Sequence, residues 1–247
     1  MTPLARFRFI AMAVALCAAF PAIAQVTAPA WNLPCIYGTN INSTNFTGRV
    51  VLLNFFCTWC GPCCAEIPSL IALQQKYAPD GLRVVGLSLD SSPDGVNPPT
   101  TLVSNFVASY GINYPVVMDA PADRADILYG TIEYGSGGYI EYIPNTFIID
   151  RHNDIVQTYV GEQSYSTYES AVLPLIYANL TLSLSVSNSQ VCVTWPTIQA
   201  TCVVQQTTNL GSGVWTNVTA TVQTNGTNSH VTLPKGPSPE FFRLQVQ

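Results

Sequence analysis

The chain has 247 residues, enough to bury one large core or two modest ones, and 48% of them are hydrophobic against only 9% charged. That balance favours a folded protein whose polar surface comes mainly from Ser, Thr, Asn and Gln. A formal net charge of −5 without any basic stripe excludes a phosphate-binding surface, so no nucleic-acid partner is expected.

At the N-terminus, Arg6 and Arg8 precede an apolar run from Phe9 to Phe20 and then Ala22, Ile23 and Ala24. This basic, apolar, small-x-small order is that of a secretory signal peptide, with cleavage expected after Ala24. The competing reading is a membrane anchor. The run is shorter than the roughly 20 residues that cross a bilayer, and no later segment is long and apolar enough to span one. An exported protein, periplasmic or extracellular, is therefore expected, with residues 1–24 removed. Export allows disulfides to persist. Cys17 leaves with the leader, and the seven remaining cysteines (Cys35, Cys57, Cys60, Cys63, Cys64, Cys192 and Cys202) are an odd number, so at least one is unpaired within the chain.

From Val50 to Tyr177 short apolar runs alternate with longer periodic segments, the grammar of strands alternating with helices. "VVLLNFF" from Val50 to Phe56 predicts a fully buried strand. A helix is predicted from about Cys60 to Tyr77, where Ile67, Leu70, Ile71, Leu73 and Tyr77 recur at helical spacing. "LRVVGLSLD" predicts a second buried strand, "TTLVSNFVASYG" a helix stopped by Gly111, "YPVVMD" a short strand and "DRADILYG" a short helix. "NTFIID" and "DIVQTYV" predict two strands joined as a hairpin through Arg151 to Asp154. "SYSTYESAVLPLIYANL" closes the unit as a helix, with Ser166 and Glu169 spaced as a capping box. Together these predict an α/β layered domain with a buried central sheet over residues 25–179.

Near Leu180 the pattern changes to strict alternation of apolar and small polar residues, with turn signals at Asn188, Gly211 to Gly213 and Asn225-Gly226. Residues 180–247 are predicted to form a separate small β-sandwich. Cys192 and Cys202 are expected on neighbouring strands and joined by a disulfide, which would support a domain too small to bury much core.

The stretch "NFFCTWCGPCCAEIP" gathers four cysteines. A zinc site would need a second ligand pair, but His152 and His230 stand alone in sequence, so no metal is expected. A structural bridge across two intervening residues would gain little loop entropy. A redox pair fits better. Cys60 falls where strand meets helix, facing unsatisfied N–H groups and the positive end of the helix dipole, which favour thiolate. Cys63, one turn further in, is placed to attack a mixed disulfide at Cys60 and release its partner. Pro62 is tolerated in the first turn, where N–H groups lack intrahelical acceptors.

"WCGPC" at the end of a buried strand, followed by Glu66 and Pro68, resembles the thioredoxin superfamily, most closely its exported TlpA/ResA branch. "LRVVGLSLD", "YGINYPVVMD" and "YIPNTFIIDRHNDIV" agree with that branch in order, so the resemblance covers roughly residues 28 to 178. It implies a thioredoxin-like fold, a central mixed sheet flanked by helices. It also implies a cis Pro144 against the Cys60–Cys63 pair, with backbone at Ile143 open to an extended substrate strand. Classical thioredoxins carry a buried acid on the strand where this chain has Asn54. Glu66 matches the acid that the exported reductants carry instead, which implies a proton-handling role. The alternative for an acid early in a helix is a dipole partner. Trp59 is read either as a shield and partner contact or as ordinary packing. Cys57 is read as a small buried hydrophobe, while Cys64 is left either free or paired with Cys35.

These readings predict an exported thiol-disulfide oxidoreductase without a cofactor, with Cys60, Cys63 and Glu66 catalytic and Trp59, Ile143 and Pro144 meeting the substrate. Gly61-Pro62 between the cysteines, by resemblance, points to reduction of client-protein disulfides with electrons from a membrane-borne thiol donor. The alternatives are a disulfide oxidase or isomerase and a peroxiredoxin-like antioxidant, whose peroxidatic pattern of Pro and Thr ahead of a single Cys is absent here. From another class comes a surface-attachment or carbohydrate-binding protein. The tail resembles all-β modules appended to secreted bacterial proteins, and Trp195, Trp215, Phe241 and Phe242 are read as a sugar-binding face or, more readily, as sandwich core.

Overall fold

A computed structural model describes residues 26–90, 100–119, 124–135, 137–178, 180–198, 200–237 and 240–246. The leader read over residues 1–24 lies outside them. The first part of the chain runs through β1 (Val26–Thr27), β2 (Asn32–Pro34), β3 (Asn40–Asn42), β4 (Val50–Phe56), α1 (Gly61–Tyr77), β5 (Leu82–Ser88), α2 (Thr100–Tyr110), β6 (Val116–Met118), α3 (Ala125–Tyr134), β7 (Asn145–Ile149), β8 (Asp154–Val160) and α4 (Tyr165–Ile176). Six strands make one mixed sheet in the order β1-β8-β7-β4-β5-β6. β4, β5 and β6 are parallel, and β7 runs antiparallel to β4 and pairs with β8 as a hairpin. This is the thioredoxin-like layout of a central sheet between helices.

β4 is buried at every position because both of its faces are covered. Its side chains alternate between two cores. Val50, Leu52 and Phe56 pack with Leu70, Leu73 and Tyr77 of α1, Val103 and Val107 of α2, and Tyr168, Val172 and Ile176 of α4. Val51, Leu53 and Phe55 pack on the other face with Trp31, Leu33, Phe147 and Tyr129 of α3. Parallel β4 and β5 end at the same pole of the sheet, where α1 begins, so the strand-to-helix turn carrying Cys60 sits at the carboxyl edge of the sheet.

Two local expectations are corrected. α4 is capped by Ser164, whose Oγ accepts from Thr167 N at 3.1 Å, not by Ser166. Starting the helix two residues earlier turns Glu169 toward Lys76, Tyr77 and Tyr165 rather than back to a cap. The helix read in "DRADILYG" continues to Tyr134.

The tail forms β9 (Ser183–Ser187), β10 (Gln190–Pro196), β11 (Cys202–Thr207), β12 (Thr216–Asn217), β13 (Gln223–Asn225), β14 (Asn228–Pro234) and β15 (Phe241–Val246). They pair as two antiparallel sheets, β13-β14-β10-β9 and β12-β11-β15. Val191, Val193, Trp195, Val204 and Val231 form the core between them, with Phe242 and Leu244 against it. Trp195 is thus a core residue, while Trp215 lies beneath the Arg243 guanidinium at 4.4 Å. The expected Cys192–Cys202 disulfide is absent: both thiols are free. Cys192 lies on β10 of the four-stranded sheet and Cys202 on β11 of the three-stranded one, so they are not neighbours across a ladder. Cys35 and Cys64 are likewise unlinked.

The tail meets the first part near the far end of α1. Ile198, Ala200 and Val246 join the hydrophobic cluster that contains Ile176 and Tyr77, and a cavity of about 320 Å³ there is lined by Asp80, Arg151, Ile176, Tyr177, Leu180 and Ile198. At about 1.5 Å per residue, the length of α1 puts this seam roughly 25 Å from Cys60.

Candidate active site

Cys60 is the N-cap of α1 in extended backbone, and its Sγ accepts the N–H of Cys63 at 3.4 Å. One otherwise orphaned donor of the first helical turn is therefore aimed at this sulfur. Gly61 and Pro62 are the first two helical residues, and Cys64 N closes the first helical bond to Cys60 O at 3.0 Å. The turn is pinned from below by Asp90, which follows β5. Its carboxylate accepts from Thr58 N at 3.0 Å, from Thr58 Oγ1 at 2.7 Å and from Ser88 Oγ at 2.8 Å.

Across from the sulfur, the Ile143–Pro144 bond is cis and Cys60 Sγ donates to Ile143 O at 3.7 Å. Cys60 is 7% exposed and Cys63 1%, so Cys60 is the less buried of the two. Burial, and next its hydrogen bond with Cys60, push the Cys63 thiol far above the usual thiol range. Burial also raises the Cys57 thiol, to about 12, and Cys57 packs in the core as a small apolar residue. Trp59 is 75% exposed and Tyr142 61%, so both rings stand in solvent next to the sulfur and the Ile143 carbonyl in sequence. Cys64 is half-buried and donates to Thr58 O at 3.6 Å.

Glu66 is buried beneath the pair. Asn54 Nδ2 donates to Oε1 at 2.7 Å, while Tyr168 OH at 3.0 Å and Gln163 N at 3.3 Å donate to Oε2. Burial raises the carboxyl to about 7, against the lowering effect of these three hydrogen bonds. Its field in turn raises Cys63, one helical turn away. An acid titrating near neutrality beside a reluctant thiol can take and return that thiol's proton. Among the described residues no group of His, Cys, Asp and Glu side chains converges as a metal site.

A profile of the AhpC/TSA family matches residues 24–158. The chain belongs to the AhpC/TSA family. Within it, the thiol-disulfide oxidoreductase ResA of Bacillus anthracis is 32% identical over 142 residues, covering 58% of this chain and 72% of the relative. ResA of Bacillus subtilis is 28% identical over 139 residues, covering 56% and 68%. The crystal structure of a thiol:disulfide interchange protein of the thioredoxin family from Chlorobium tepidum superposes with a TM-score of 0.52 at 29% identity, covering 62% of this chain and 97% of that one. This AhpC/TSA member is accordingly a ResA-like thiol-disulfide oxidoreductase with Cys60 and Cys63 adjacent.

The residues read as catalytic or substrate-contacting, namely Trp59, Cys60, Cys63, Glu66, Ile143 and Pro144, lie on or next to the start of α1 and the cis-proline loop that meets Cys60. Sequence reasoning missed Asp90, Thr146, Gln163 and Tyr168. From sequence, Asn54 marks only the place where an acid is lacking. In the structure it donates to the acid that replaces it.

Proposed function

We propose that this protein is an exported reductant of client-protein disulfides, its redox domain spanning 25–179 and its β module 180–247. The observation that carries the reading is the double contact of Cys60 Sγ, to Cys63 N on one side and to Ile143 O on the other. The first contact helps carry negative charge on the sulfur. The second marks a carbonyl in the loop just ahead of β7, where an extended client strand can pair and present its own disulfide. The Cys60 thiolate attacks one client sulfur and expels the other as thiolate. Cys63 then gives its proton to Glu66, attacks Cys60 Sγ and expels the remaining client sulfur, leaving the Cys60–Cys63 disulfide. Glu66 hands the proton on to solvent. A membrane-borne thiol donor returns the two electrons.

Export rests on the order of basic, apolar and small residues over 1–24. Reduction rests on Gly61-Pro62 between the cysteines. The test is a Cys63→Ser variant. It is expected to accumulate clients as mixed disulfides on Cys60 that a thiol reductant releases, and Cys60→Ser is expected to capture none. An absence of adducts with Cys63→Ser would end the reading. A Cys60–Cys63 reduction potential as high as those of disulfide-forming catalysts would reassign the direction to oxidation. Peroxide consumption by Cys63→Ser at the wild-type rate would revive the peroxidase alternative.

A further inference from the structure

Four buried side chains from four separate elements, Glu66 among them, close into one hydrogen-bonded ring. Asn54 on β4 donates through Nδ2 to Glu66 Oε1 at 2.7 Å and to Thr146 Oγ1 at 2.9 Å. Thr146 on β7 lies 2.8 Å from the Tyr168 hydroxyl, and Tyr168 on α4 donates to Glu66 Oε2 at 3.0 Å. The directions are forced by this pattern. Tyr168 spends its one proton on Glu66, so in the 2.8 Å contact it accepts from Thr146, whose oxygen already accepts from Asn54. Every hydrogen of the ring thus points toward the carboxylate. Asn54, Glu66, Thr146 and Tyr168 are all buried, at 2%, 1%, 1% and 0% exposure, so no solvent can replace a missing donor at low cost. Tyr159 stacks edge-on against Tyr168 with centroids 5.6 Å apart, fixing the ring plane that aims the hydroxyl.

We propose that Tyr168, held by Thr146, is a positioning residue for thiol-disulfide exchange: it favours the ionised form of Glu66 against burial and orients it to take the Cys63 proton in the resolving step. This rests on the reading of Cys60–Cys63 as the exchange couple. Burial alone would leave Glu66 protonated and unable to accept a proton. The three donors offset that cost and bring it to about 7. The other ionisable groups acting in the same place are Cys63 on its own helix, Tyr114 ahead of β6 and Glu162 ahead of α4. All three are neutral or negative, which leaves the hydrogen-bond donors as the groups that favour the carboxylate.

The experiment uses the reduced full chain and a chromogenic aromatic disulfide, with thiolate release followed in two phases from pH 5 to 9. The first phase is attack by Cys60. The second is resolution, identified as the phase that Cys63→Ser removes. Its rate should rise with pH as Glu66 ionises. Tyr168→Phe removes one hydrogen bond to a charged group and should move that rise upward by about one pH unit. Resolution then slows about tenfold below the rise, while the high-pH plateau and the first phase are unchanged. Thr146→Val, which leaves Glu66 and its direct donors in place, should shift the rise the same way by less, and it decides the matter if Tyr168→Phe does not fold. A rise that stays put in the folded variants, or slowing that is equal at every pH, overturns the proposal. Two phases that persist in Cys63→Ser would instead overturn the assignment of the couple beneath it.

Discussion

The redox domain and the C-terminal β module differ in what they bury. In the first, β4 and β7 are covered on both faces, and the space between sheet and helices holds polar side chains as well as apolar ones: Asn54, Glu66 and Thr146 are sealed in with their partners. In the second, β10 alternates between buried and partly exposed positions, and the edge strand β9 is exposed along its whole length. Five buried side chains carry that core. Burial is the main cause that raises the Glu66 carboxyl to about 7, and the two-sided cover of the central sheet is what supplies that burial.

Removing the centre of the thin core should separate the regions most sharply. Trp195→Ala, with a cost of about 3–5 kcal/mol typical of losing a buried aromatic side chain, is expected to unfold the tail while both phases of thiolate release at Cys60 and Cys63 persist. Loss of exchange activity together with tail structure, followed by circular dichroism and the chromogenic assay on one sample, would show the two regions to be one cooperative unit.

The buried acid offers the next largest effect. Because the carboxyl of Glu66 is raised in the folded protein from 4.5 to about 7, folding favours its neutral form. That contribution is fully present below about pH 4.5 and is lost as pH rises through about 7, a swing of roughly 3 kcal/mol. Glu66→Gln should therefore gain stability relative to wild type between pH 4.5 and pH 8, as read from urea midpoints at the two values. A difference between variant and wild type that is independent of pH would mean that the carboxyl titrates in the fold as it does in solution.

The smallest effect is expected at the seam. The Tyr177 hydroxyl donates to Asp80 Oδ2 beside the residues that meet the tail. Tyr177→Phe should cost about 1 kcal/mol and weaken the coupling between the unfolding of the two regions, without altering exchange rates roughly 25 Å away at the other end of α1. Altered Cys60 kinetics in this variant would connect the seam to the active site.

Much of this was legible locally. Seven residues that include Val50, Val51, Leu52 and Leu53 are too apolar to lie anywhere but between two layers, and the spacing of Ile67, Leu70, Leu73 and Tyr77 leaves no periodicity but the helical one. The position of Cys60 at the strand-to-helix turn follows from those two elements, and with it the N–H that meets its sulfur. Sequence spacing also places Glu66 one turn beyond Cys63.

Only the tertiary structure decided what surrounds those groups. Tyr168 and Glu66 are 102 positions apart and Asn54 and Thr146 are 92 apart. No periodicity within an element carries information about a hydrogen bond that depends on how four elements stack. The same limit explains the disulfide expected between Cys192 and Cys202. Alternation at period two says that each lies on a strand, but strand pairing is a choice among partners distant in sequence, and the fold sent the two strands to different sheets. The sequence by itself determined the elements and the reactive pair, because these follow from short-range sterics and burial. That Glu66 is sealed from solvent was decided by long-range packing, which alone controls access of water to the carboxyl.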